Sequence, residues 1–438
     1  MKKVLIIAYY WPPSGGAGVQ RWLKMVKYLS EFGWQPIVYT AKDAAYPVLD
    51  TSLEKDVPQD LEVIRGPIWE PYEVYKKFTG QGKKERVYSG FLSENKKPSL
   101  TQRLSVWIRG NFFIPDARRF WINPSIKLLT EYLQKHPVDA IITTGPPHSL
   151  HMIGRGLKRK LGVPWIADFR DPWTNIDFYD QLMLTGWADR THRRMEASVM
   201  AEADAITTIG WTMQKEFEEM GAKKVYVATN GFDEADFPEM NVKLKDRFTF
   251  SHIGYLNKDR SPENLWRAFG ELVNEVPGLK DDLCLRFIGK TDHVLHQALE
   301  RNGLTDLTEH IDYVPHDEVL VAQRESHVLL LLINNTPNVL GILPGKLFEY
   351  LAARRPILAI GMKGGDSDKV LTETGAGEML EYDDLEGMKR IIFKLYRRFK
   401  KAEIEIDATD IQRFSRRHNA GLIASALDSI QVAQSSHT

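Results

Sequence analysis

Five consecutive apolar residues, Val4-Leu5-Ile6-Ile7-Ala8, run straight into a turn built of proline and glycine, Pro12-Pro13-Ser14-Gly15-Gly16-Ala17-Gly18. After it Val19, Trp22, Leu23, Val26 and Leu29 recur at helical spacing until Gly33, and Ile37-Val38-Tyr39-Thr40 supplies a second strand-sized run. This strand, helix, strand succession predicts a parallel sheet with helices on its faces and ligands at the carboxyl ends of its strands. The same rhythm returns at Ala140-Ile141-Ile142, Trp165-Ile166-Ala167 and Ala205-Ile206-Thr207, so the first half of the chain reads as doubly wound.

The rhythm breaks at Asn230-Gly231-Phe232-Asp233 and restarts at Phe248-Thr249-Phe250-Ser251-His252-Ile253-Gly254. Further strands are expected near Leu283 to Gly289, Val328 to Ile333 and Pro356 to Ile360, with helical patterns at Asn264 to Val276 and Lys346 to Ala353. A chain of 438 residues exceeds what one core supports. The expected division is a first α/β domain over 1–238, a second over 239–412, and a helix with a polar tail over 413–438. Residues 70–122 fit the sheet rhythm poorly. There Leu104, Val106, Trp107, Ile108, Phe112, Phe113 and Ile114 alternate with Arg103, Arg109, Arg118 and Arg119, a composition that suits either an insertion packed over the first core or a segment resting in lipid headgroups.

Apolar residues at 43% and charged ones at 26% are enough to build two cores without disulfides. The single Cys284 sits in an apolar strand pattern, which favours a small buried side chain over a reactive thiol and a reducing compartment over an oxidising one. Lys plus Arg number 58 and Asp plus Glu 58, so the global cationic field of a nucleic-acid binder is missing. The apolar start ends at Pro12, too soon for a signal peptide, and no run reaches the roughly 18–20 residues of a membrane span. The expectation is a soluble or peripheral cytoplasmic protein.

Chemistry concentrates at strand-to-helix turns. Gly15, Gly16 and Gly18 allow either close approach of backbone N–H groups to an anion or simply a tight turn; the loop spells neither G-x-G-x-x-G nor a P-loop. Pro344-Gly345-Lys346-Leu347 opens a helix whose N–H groups and ammonium suit a diphosphate, and Glu349 on the same face suits ribose hydroxyls; a solvated Lys-Glu pair is the alternative. Arg260, six residues after Gly254, is either a phosphate ligand or surface charge. Asp168, Arg170 and Asp171 directly follow a buried strand, and His148 lies in a neighbouring turn, which makes these four the candidate reactive residues. The histidines have no zinc spacing, Asp366-Ser367-Asp368 lacks supporting ligands, and no Gly-x-Ser-x-Gly elbow occurs, so no metal and no cofactor is expected.

Taken together these segments resemble the retaining GT-B glycosyltransferases of glycosyltransferase family 4 over nearly the whole chain. The resemblance is carried by Gly15-Gly16, Asn230-Gly231-Phe232-Asp233, Gly254 with Arg260, Glu349-Tyr350-Leu351-Ala352 and Arg355-Pro356-Ile357. It implies two Rossmann-like domains facing across a cleft and a C-terminal helix crossing back to the first. It also implies a metal-independent transfer from a nucleotide diphosphate-sugar, held by Gly254, Arg260, Lys346 and Glu349, to a saccharide or lipid-linked acceptor. The family often carries a second Glu near the transferred sugar; here that position is Gly341, for which Asn335, Asn338 or a loop amide would substitute. The Asp168 to Trp173 and Pro115 to Arg118 strings are similar to those of the bacterial envelope-polysaccharide branch, which implies work at the inner face of the plasma membrane. Two other classes share the fold: a non-hydrolysing nucleotide-sugar epimerase, whose acidic and histidine cluster is not evident here, and a scaffold that binds donor without transfer, which Gly341 keeps open.

Overall fold

A computed structural model describes residues 1–70, 100–237, 242–312, 314–406 and 408–435. The stretch 71–99 of the expected insertion lies outside them. The chain forms two compact units, Met1–Thr229 with Arg416–Thr438, and Asn230–Ser415. The divisions fall at 229/230 and 415/416, where the sequence reading put 238/239 and 412/413.

The first unit is a seven-stranded sheet ordered β3-β2-β1-β4-β5-β6-β7, every pairing parallel. Its strands are β1 (Lys2–Ile7), β2 (Trp34–Lys42), β3 (Glu62–Pro67), β4 (Ala140–Gly145), β5 (Trp165–Phe169), β6 (Ala205–Thr208) and β7 (Val225–Val227). Leu5 pairs with Ile37 on one side and Ile141 on the other, so β1 is central and buried on both faces. That explains its unbroken apolar run. Strand order reverses between β1 and β4, and in such sheets ligands bind at the carboxyl ends where the order reverses. The β1 end leads into the glycine turn and the β4 end into His148.

Helix α1 (Ala17–Leu29) lays Val19, Trp22, Leu23 and Val26 onto this sheet. The C-terminal helix Arg416–Ser435 adds Ala420, Ile423, Ala424, Leu427 and Ile430 to the same cluster, and so completes the first core rather than the second. Each fully buried Leu, Ile or Val contributes roughly 1.5–3 kcal/mol, a scale on which this segment is a structural requirement. Helices α2 (Leu100–Phe112), α3 (Ser149–Leu161) and α4 (Gly186–Glu202) belong to the same unit.

The second unit is a six-stranded parallel sheet ordered β10-β9-β8-β11-β12-β13, with β8 (Phe248–Ile253), β9 (Leu283–Ile288), β10 (Thr308–Ile311), β11 (Val328–Leu332), β12 (Ile357–Gly361) and β13 (Gly377–Glu381). Its order reverses between β8 and β11, and helix α5 (Gly345–Ala353) follows β11. Both units are therefore Rossmann-like. The edge strands β3, β7, β10 and β13 were not legible as strands, because an edge is only partly covered and its side chains are mixed. Cys284 lies buried on β9, where burial pushes its thiol up and leaves it a packing residue. Among the described residues no helix is long and apolar enough to cross a membrane.

Candidate functional site

Asp168, one residue before the end of β5, is 0% exposed and saturated with donors. It accepts from Arg21 Nη2 at 2.7 Å and Nε at 3.2 Å, Trp22 Nε1 at 2.8 Å, Thr144 Oγ1 at 2.9 Å and Thr207 Oγ1 at 2.8 Å. Burial pushes its carboxyl up, but the Arg21 charge and these hydrogen bonds outweigh that and hold it below the usual carboxylate value. Arg21 in turn donates to the carbonyls of Ala228 at 2.8 Å and Thr229 at 3.1 Å. The sequence expectation of Asp168 as a reactive residue is corrected by this geometry: the carboxylate lies beneath the surface and ties α1, β4, β5 and β6 together.

His148, Arg170 and Asp171 do come together. They line one cavity of about 300 Å³ in the first unit, with Tyr10, Asp116 and Trp173 among its other walls, at the lower end of the range of about 300–1,000 Å³ for small-molecule sites. The His148 ring stacks on Trp173 at 4.6 Å between centroids and 2° between planes. Its Nδ1 is buried without a hydrogen-bond partner. Burial first, then the neighbouring His151, His192 and Arg170, push its pKa well below the ordinary value, so the ring is neutral at neutral pH. Trp173 is anchored through Nε1 to His192 Nδ1 at 3.0 Å. Asp171 keeps 40% of its side chain exposed and pairs with Arg170 at 3.2 Å.

Gly18 makes room for that arginine, since a Cβ there would lie 2.5 Å from Arg170 Nη1. Gly15 gives its N–H to the Val48 carbonyl at 2.9 Å, which removes it as a phosphate donor and corrects that expectation. Gly16, at φ 92°, opens α1 with no side chain capping it. The sequence reading missed Asp116 as a wall residue. It is fixed by Ser149 N and Oγ, each at 2.8 Å, at the start of α3. Next to it Arg118 lies 4.5 Å from the Tyr9 ring centroid and 3.2 Å from Glu70. Only the charges within Pro115 to Arg118 signalled this.

In the second unit Gly254 directly follows β8 at φ 107°, and a Cβ on it would sit 3.6 Å from Lys346 Nζ. Lys346 donates to the Ile253 carbonyl at 3.0 Å. Arg260 donates to Asn334 Oδ1, and to the Tyr255 carbonyl at 3.4 Å. Burial first, then the Arg260 charge, lower the Lys346 ammonium to about 7, with Glu349 opposing. Glu349 is half-buried and accepts from Gln323 Nε2 at 3.0 Å. Two cations are thus held near each other at a strand end, beside Pro344 and Gly345, where the α5 N-terminus carries no side-chain cap. Leu347 departs from the expectation: its side chain is 0% exposed and its N–H donates to the Pro344 carbonyl at 3.0 Å, so it belongs to the core. The sequence reading did not single out Asn334, whose Oδ1 accepts from Arg260. Among the described residues no three His, Cys, Asp or Glu side chains gather as a metal-ion site.

Residues 15–231 match the glycosyl transferase 4-like domain. A probable glycosyltransferase, WbjE of Pseudomonas aeruginosa, is 24% identical over 269 residues, 58% of this chain and 65% of that relative's length. In fold the chain is similar to Anabaena HepE in complex with UDP-glucose, at TM-score 0.59 and 15% identity, covering 98% of this chain and 100% of that one. It is also similar to a putative UDP-N-acetylglucosamine 2-epimerase of Listeria monocytogenes, at TM-score 0.53 and 10% identity, covering 98% and 96%.

Proposed function

Through residues 15–231 the chain belongs to the glycosyl transferase 4-like family of GT-B glycosyltransferases, and we propose that it transfers a hexose-like sugar from a nucleoside diphosphate donor to a saccharide or lipid-linked acceptor. The observation that carries this reading is the Lys346 and Arg260 pair at the end of β8. Two cations near each other, one with its pKa lowered to about 7, form a niche whose electrostatics favour a dianionic group. The leaving nucleoside diphosphate gains charge as the glycosidic bond breaks, and fixed cations aimed at it lower that barrier with no metal required. Gly254 admits the phosphates and Glu349 accepts from the ribose hydroxyls.

The acceptor occupies the first unit's cavity. Aromatic walls stack against sugar faces, the neutral His148 ring lies in the cavity wall beside them, and Asp171 accepts from the acceptor hydroxyl, with Arg170 holding it in place. Transfer proceeds with retention, in envelope polysaccharide synthesis at the cytoplasmic face of the plasma membrane. An epimerase of the same fold is the second reading, favoured by the likeness to the Listeria protein. A thermal-shift panel of UDP, GDP, ADP and CMP with their sugar conjugates tests the donor site. Ligand at a hundred times its Kd adds about 2.7 kcal/mol, a readable shift. One nucleoside diphosphate is expected to stand out without magnesium, and to lose its effect in Lys346→Ala while the bare nucleoside does not. An epimerised donor in the absence of any acceptor would favour the second reading.

A further inference from the structure

A cavity of about 720 Å³ opens in the second unit at the end of α5 away from Lys346. Three arginines line it. Arg354 and Arg355 directly follow α5, and Arg324 comes from the helix His316–Glu325. Arg355 Nε donates to the Arg324 carbonyl at 2.9 Å, which ties the two segments together. The Arg324 guanidinium lies 5.2 Å from the ring centroid of Phe237, another wall residue. Among the described residues neither Arg354 nor Arg355 has a carboxylate within ion-pair distance. The acidic wall residues are Glu234 and the exposed Glu405. Burial lowers the Arg355 guanidinium from its ordinary value, with Glu405 opposing and the Arg324 charge adding to the shift.

A cation just past a helix C-terminus is favoured by the helix dipole. That accounts for one arginine, but not for a second beside it or for a third brought from another helix. Arg354 also sits at φ 54°, a left-handed position that glycine usually fills at a helix end. A side chain is held there under strain, and such positions cluster at ligand sites.

We propose that this cavity is a second anion site, which takes a small phosphorylated molecule other than the sugar donor. Guanidinium forks match phosphate oxygens two at a time, and Phe237 gives the ligand's carbon skeleton a face to pack on. The volume falls within the range of about 300–1,000 Å³ for small-molecule sites. With nine residues in α5, its two ends are roughly 12–14 Å apart. The niche at Lys346 and this cavity therefore share a helix but no residue.

The test is calorimetric titration of pyrophosphate into the full chain carrying Lys346→Met, which silences the donor niche. Binding at one site is expected to persist. Adding Arg354→Gln and Arg355→Gln should weaken it by at least about tenfold, since charge-assisted hydrogen bonds are lost. Arg354→Gly guards against misfolding, because glycine suits that φ: Tm should hold or rise while pyrophosphate binding falls roughly fivefold. No pyrophosphate binding to the Lys346→Met chain, binding that the arginine changes leave unaltered, or citrate bound as tightly as pyrophosphate overturns the proposal. Nucleoside diphosphate titrated into Arg354→Gly with Lys346 intact separates the two sites. Affinity within about twofold of the unaltered protein is expected of distant, independent positions. A loss as large as that in Lys346→Met would place the arginines at the donor and overturn the second site. If Lys346→Met itself leaves nucleoside diphosphate binding intact, the donor reading falls and the arginine site stands on its own titration.

Discussion

Each unit places charged groups where its sheet order reverses, and the two do it in opposite ways. In the first, Arg21 and Asp168 are buried and every strong hydrogen-bonding position of the carboxylate is filled. In the second, Lys346 and Arg260 stand near each other, donating to the Ile253 and Tyr255 carbonyls and the Asn334 amide, with Glu349 turned to Gln323. A satisfied pair holds a fold together and has nothing left for a ligand. A like-charged pair strains the unliganded fold and is relieved by an anion.

The largest effect should come from breaking the satisfied pair. Arg21→Met leaves Asp168 buried and uncompensated, and removing one partner of such a pair costs about 3–5 kcal/mol. In a unit of this size that lowers Tm on the order of 10 °C. A calorimetric Tm within a few degrees of the unaltered protein would show the pair to be dispensable.

The second unit should respond in the other direction. Lys346→Met removes a charge that the apo fold holds at a cost, so Tm should rise at neutral pH although diphosphate binding is lost. The pH dependence has a definite sign. With the Lys346 ammonium lowered to about 7 in the folded chain and titrating near 10.4 when unfolded, the unfolded state holds more protons between those values. Stability of the unliganded protein therefore rises with pH across that window. Diphosphate affinity falls across it as the ammonium loses its proton. A Tm difference between Lys346→Met and the unaltered protein that does not change with pH would remove the cation strain.

Smaller effects are expected where the first unit meets ligand. Asp171→Asn should reduce transfer while leaving nucleoside diphosphate affinity unchanged; equal loss of both would move the residue to the donor. Gly18→Ala should be mildest. The new Cβ displaces the Arg170 guanidinium from Asp171, while alanine in a helix gains up to about 1 kcal/mol over glycine. Transfer should fall with Tm unchanged or raised, and a loss of stability would show that Gly18 serves the turn instead.

Much of the fold was legible because the central strands of a parallel sheet are buried on both faces, and β1, β11 and β12 and the first residues of β4 and β5 accordingly read as apolar runs. The helix-opening cluster at Pro344, Gly345 and Lys346 was legible for a local reason, since a helix N-terminus and its cation are neighbours in sequence. The edge strands were not, because partial burial leaves no fixed pattern. Arg21 escaped notice within α1, where a one-stripe view of an amphipathic helix assigns a cation to solvent. A helix covered by both the sheet and the C-terminal helix buries a second face, and Arg21 is 1% exposed there.

By itself, the sequence determined the two-domain α/β architecture, the glycine turns and the identity of the charges at the strand ends, because periodicity and turn chemistry are local. Only the tertiary structure decided which charges are spent. Asp168 and Asp171 are three residues apart in one string. One lies within a strand and meets four donor side chains brought from α1, β4 and β6, while the other lies beyond the strand and keeps a partly exposed carboxylate. Burial and partners come from segments distant in sequence, and no local pattern encodes them.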